Sequence, residues 1–138
     1  MSESKMKILN LIIKQKYFDA IMCGQKCQEF REVRPSTIKR LLQLDEEGYE
    51  IVDEYDNAQP IKYDAIRFYV GYSKDRDSAL VEVKDAYCEI FTQTDEQGNE
   101  VPIEYEYNNQ IWVAEQVVYN LGRILETDIK PKTKLRKQ

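Results

Sequence analysis

Residues Gly24–Val33 read GQKCQEFREV, a glycine turn running into a strand. Charged or amide side chains at Lys26, Gln28, Glu29, Arg31 and Glu32 leave neither face of that strand clearly apolar. A strand half-buried in a small domain alternates apolar with polar, and this one does not. In an extended chain, Cys27, Glu29, Arg31 and Val33 share one face, and Lys26, Gln28, Phe30 and Glu32 the other. If the first face turns inward, Glu29 and Arg31 must pair or meet a ligand, because isolated buried charges are costly. The same spacing suits an ion pair exposed at a rim, contributing about 0–1 kcal/mol.

The flanking sequence supplies the elements around this strand. Residues 8–14 (ILNLIIK) read as a strand buried on both faces. In residues 16–23 (KYFDAIMC), Tyr17, Ala20 and Ile21, with Phe18 and Met22 to the side, fall at helical spacing, and Gly24 follows at the C-cap position. RPSTIKRLLQL predicts a second helix with Pro35 near its first turn. The acidic, turn-rich stretch 45–60 predicts a surface loop or peripheral hairpin, a plausible insertion. Residues 63–72 and 79–91 read as strands joined by the charged turn SKDRDS. DEQGNE is a further turn, VPIEYEY alternates, and the segment from Ile111 gives the last strand or strands. Two early helices and at least five strands predict an α+β fold with a mostly antiparallel, closed sheet.

At 138 residues, the chain suits one domain over 1–129, followed by a basic tail, 130–138, expected to be disordered. Its net charge of −5 hides a segregation: residues 1–41 carry nine Lys and Arg against four Asp and Glu, residues 42–129 six against twenty-one, and the tail five against none. Sorted charge of this kind allows a basic face to meet phosphate. Three cysteines without a C-x-x-C pair, and no histidine, argue for a reducing, cytoplasmic setting and against a zinc site; no metal or other cofactor is expected. The missing imidazole also removes Ser-His and Cys-His nucleophile pairs. No signal peptide or membrane-spanning stretch is apparent.

Three further features bear on a site. Lys26 follows the glycine turn; as a base it needs burial or a cationic neighbour such as Arg31, and otherwise it is a surface lysine. Glu82, between Val81 and Val83, is a carboxylate within an apolar strand, or simply its outward residue. The turn YSKDRDS brings Lys74 and Arg76 near Tyr69 and Tyr72, a pattern that can hold phosphate and stack a base, with Asp75 and Asp77 cancelling part of the charge.

The order of these elements, with G-x-K-x-x-E-x-R at Gly24, Lys26, Glu29 and Arg31, the segment YVGYSKDRDSALVEV and the late strand ending LGRILET, resembles the ASCH domain family of the PUA-like group. The resemblance implies a small PUA-like β-barrel that binds RNA, a nucleotide or a modified nucleoside in a cleft lined by the motif. Its implied ligand-binding residues are Gly24, Lys26, Glu29 and Arg31, to which the charged turn adds Tyr69, Tyr72, Lys74 and Arg76. One branch of that family hydrolyses the amide of acetylated cytidine through a lysine-activated threonine. This likeness implies Lys26 as base and Glu82 as acid/base partner, but Glu29 occupies the threonine position and cannot form the same acyl ester. Another family member is a ribonuclease, so the alternative to a binding module is a hydrolase using Lys26, Glu29 and Glu82. Binding is the better-supported reading, because three inward polar groups suffice to recognise a base whereas hydrolysis still lacks a nucleophile.

Overall fold

Alternation of apolar residues in the strands, and their helical spacing in 15–22, set the elements of the computed structural model, which describes residues 5–131. The chain divides into two units. Unit 1 comprises Met1–Cys27, Tyr63–Lys84 and Leu121–Gln138; unit 2 comprises Gln28–Lys62 and Asp85–Asn120. Two long strands, β4 (Ser78–Ile90) and β9 (Glu115–Asp128), run through both.

In unit 1, β1 (Ile8–Ile13) pairs in parallel with β3 (Ala65–Val70), bringing Leu9 opposite Ile66 and Leu11 opposite Phe68. The helix α1 (Gln15–Met22) leaves β1 and buries Phe18 and Ile21. β3 turns through the 71–77 segment into the antiparallel β4, with Phe68 opposite Ala79 and Ile66 opposite Val81. The resulting core holds Leu9, Leu11, Phe18, Ile66, Phe68 and Val81. The hydropathy of residues 8–14 suggests burial on both faces, but β1 alternates, with Leu9, Leu11 and Ile13 buried and Asn10 and Ile12 exposed. One face of β1 packs into the core and the other is open.

In unit 2, β2 (Gln28–Val33) pairs antiparallel with the first half of β9, placing Glu29 opposite Tyr119, Arg31 opposite Val117 and Val33 opposite Glu115. The second helix, α2, is a single turn, Ile38–Leu41. It stops early because Leu42 becomes extended and bridges to Pro60, the start of a ladder that also joins Leu44 to Glu50 and Val52 to Ala58. The remaining strands form two local hairpins, β5 (Thr92–Thr94) with β6 (Glu100–Pro102) and β7 (Glu104–Tyr107) with β8 (Gln110–Val113).

One loop design occurs three times in unit 2, at DEEGY (45–49), DEYDN (53–57) and DEQGN (95–99). In each, the aspartate carboxylate accepts the backbone N–H groups two and four residues on, at 2.8–2.9 Å. The fourth residue takes a left-handed backbone: Gly48 at φ 91°, Asp56 at 68° and Gly98 at 85°. Glycine or a short polar residue tolerates that conformation, and this explains the spacing.

The closed, PUA-like barrel expected from the sequence is not formed. The main sheet is open, in the order β1-β3-β4-β9-β2, with β1 and β2 as its two edges. The alternating segments 92–113 pair with one another in two separate hairpins and add no closing strand to the main sheet. Of the basic tail, only Lys130 and Pro131 belong to the described residues; 132–138 lie outside them.

Candidate functional site

The glycine turn of unit 1 is built from the end of α1. Gln25 and Lys26 both donate their backbone N–H to the Ala20 carbonyl, at 2.9 and 3.0 Å, and Gly24 at φ 84° provides the left-handed residue such a helix end needs. The Cys27 carbonyl then accepts the N–H of Leu121 at 2.9 Å, tying the turn to β9. Between them lies a pocket of about 310 Å3, with Gly24, Lys26, Cys23 and Cys27 at the turn and apolar walls from Ile21, Val81, Leu121 and Ile124. The Lys26 ammonium sits 5.8 Å from the centroid of the Tyr17 ring and that of Lys16 sits 5.0 Å from it, so one half-exposed aromatic carries two cations.

Glu82 is not among the residues lining this pocket, although its carboxylate lies against Gly122, which is one of them. Its carboxylate accepts the Arg123 backbone N–H at 3.0 Å, with the Arg123 Nε at 3.7 Å. It occupies the space a side chain on Gly122 would need: a Cβ there would lie 2.2 Å from Glu82 Oε1. The structure brings Gly24 and Lys26 into one pocket and places the Glu82 carboxylate beside Gly122 in its wall.

The charged turn is a separate feature of unit 1. Arg76 lies 4.1 Å from the Tyr69 ring and donates to the Gly71 carbonyl at 2.9 Å, while Tyr72 and Lys74 are exposed. Asp77, read from the sequence as a neutralising surface charge, is only 5% exposed and accepts the Lys130 backbone N–H at 2.9 Å. Its role is to fasten the end of β9 beside this turn.

In unit 2, β2 presents the inward face the sequence raised as a question. Glu29 is 5% exposed, while Phe30 on the opposite face is 46% exposed. Arg31 Nε and Nη2 both donate to Glu29 Oε2 at 2.8 Å. The inward carboxylate and guanidinium thus meet each other.

Unit 2 also holds a cluster the sequence reading passed over. Glu115, Glu50 and Cys88 line a pocket of about 370 Å3 together with Trp112. Glu115 is 7% exposed and hydrogen-bonded to the Glu50 carboxyl; burial and the neighbouring carboxylate push it up to about 8. Burial, aided by both glutamates, pushes the Cys88 thiol up to about 12 and keeps it protonated and unreactive. The signal was present in WVAEQVV, where one carboxylate stands inside an apolar run. Among the described residues, no group of His, Cys, Asp and Glu side chains is arranged to hold a metal ion, and no helix is long and apolar enough to cross a membrane.

Fold and sites together define an open-sheet β-rich protein whose two units carry opposite charge. Counted over the sequence, unit 1 has fifteen Lys and Arg against eight Asp and Glu, and unit 2 has five against seventeen. The chain matches no protein-family model, no curated protein and no solved structure.

Proposed function

We propose that unit 1 binds single-stranded RNA or a nucleotide at the Gly24–Cys27 turn, in a cytoplasmic setting that keeps Cys23 and Cys27 as free thiols. The observation that carries this reading is the excess of positive charge, eleven basic against seven acidic among the described residues, in the unit that contains the Lys26 pocket. The pocket's volume and apolar walls suit a nucleobase, Tyr17 offers a stacking surface, and Lys16 and Lys26 offer ammonium groups to phosphate. The resemblance to the ASCH family supports the same ligand class. Its motif contributes Gly24 and Lys26 to the lining of this pocket, and Glu29 and Arg31 form an ion pair within unit 2.

Hydrolysis has less support. It requires Lys26 and Glu82 to act on one bond, and the Glu82 carboxylate is engaged by the Arg123 backbone N–H and is not among the groups lining the pocket. Fluorescence anisotropy with a labelled ten-nucleotide uridine RNA, and competition by nucleoside monophosphates, tests the binding reading. Lys26→Ala is expected to weaken RNA binding about tenfold, the scale of one lost charge-assisted contact, with the melting temperature within a few degrees of the parent. Undiminished affinity in that variant, or no binding by the parent protein, would overturn it.

A further inference from the structure

The cavity of about 370 Å3 in unit 2 combines two independent features. Glu50 and Glu115 converge on it with their carboxyls hydrogen-bonded, and Glu115 is nine-tenths buried. Two carboxyls this close retain a proton between them when no cation is at hand. Asp56 adds a third acid to the lining, and among the described residues none of the lining side chains is basic. The opposite wall is apolar: Ile90, Ile111 and the ring of Trp112, which is stacked on Tyr105 with centroids 6.3 Å apart and held edge-on by Tyr107. Beside it, a smaller cavity of about 240 Å3 that Glu115 also lines holds Tyr105, whose hydroxyl is buried without a hydrogen-bond partner.

We propose that this cavity is a binding site for a compact organic cation, a primary amine or guanidine carried on an apolar or aromatic body. Glu50 and Glu115 receive the cation, and Trp112, Ile90 and Ile111 pack its body. This site is distinct in charge and position from the Lys26 pocket and takes the opposite class of ligand. Binding an ammonium group ionises the second carboxyl, so near neutral pH one proton leaves the carboxyl pair for the buffer per ligand bound. The titratable and charged groups that share a cavity lining with Glu115 are Glu50, Asp56 and the Cys88 thiol here, and Glu32, Arg34 and Tyr105 in the smaller one.

Isothermal titration of the full chain with agmatine, tyramine and butylamine, in buffers of different ionisation heat, tests this directly. Trp112 is the chain's one tryptophan, so its fluorescence reports on the cavity. The expected result is one-to-one binding of at least one amine, a fluorescence change, an apparent enthalpy that follows buffer ionisation, and tightening between pH 6 and 8. Glu115→Gln should bind the same amine at least tenfold more weakly; Glu50→Gln serves as the second variant if that one folds poorly. No binding by any of the three amines would overturn the proposal. So would equal binding by butyramide, the uncharged counterpart, or undiminished binding by a folded Glu→Gln variant.

Discussion

Glu29 and Glu115 are both buried glutamates in unit 2, and each meets the cost of burial differently. Glu29 has the Arg31 guanidinium two residues along its own strand, whereas Glu115 has another carboxyl and holds a proton. The second solution makes stability depend on pH. Because the Glu115 carboxyl is raised from 4.5 to about 8, the folded chain binds a proton that the unfolded chain releases between those values. Stability therefore falls as pH rises through that window and levels off above it. Glu115→Gln, which imitates the protonated carboxyl, is expected to remove about 2–4 kcal/mol of that pH-dependent loss. Urea unfolding of both proteins at pH 5 and pH 8.5 checks this; parallel losses in parent and variant would contradict it. The two-residue period of GQKCQEFREV placed Glu29 and Arg31 on one face, and the structure turned Glu29 inward. The partner of Glu115 was not, since Glu50 lies 65 positions away and no local pattern links them.

At the scale of elements, the clearest sequence signals were the turns. Gly24 was readable as a helix C-cap and is found at φ 84° with open space where a Cβ would stand. Gly24→Ala is therefore a conformational change without a steric clash, expected to cost about 1 kcal/mol and to lower the melting temperature by about 3–5 °C. Calorimetry gives the comparison, and an unchanged melting temperature would mean that the turn is not held in its left-handed form. The strands at 65–70 and 78–90 were also legible from alternation and turn residues, and the strand at 28–33 from its place after the glycine turn. The second helix was not, because local spacing in RPSTIKRLLQL favours helix while the ladder from Leu42 to Pro60 pulls the chain out of it after one turn.

At the scale of the whole molecule, the net charge of −5 conceals an acidic unit 2 and a basic unit 1. If unit 1 binds RNA through three or four phosphates, affinity should fall about 20- to 50-fold between 50 and 200 mM salt, and Lys26→Ala should reduce the logarithmic salt slope by about 0.7. Anisotropy titrations across that salt range measure both; a salt-independent affinity would contradict the electrostatic reading. By itself, the sequence determined the local vocabulary of this protein: where strands alternate, where glycine or aspartate forces a turn, and where charge is sorted along the chain. Each depends on neighbours within a few residues. Only the tertiary structure decided whether the sheet closes, which glutamates meet arginine and which meet each other, and that Val81, rather than Glu82, lines the Lys26 pocket. Those outcomes depend on strand pairing and packing between segments tens of residues apart, which alternation and spacing do not encode.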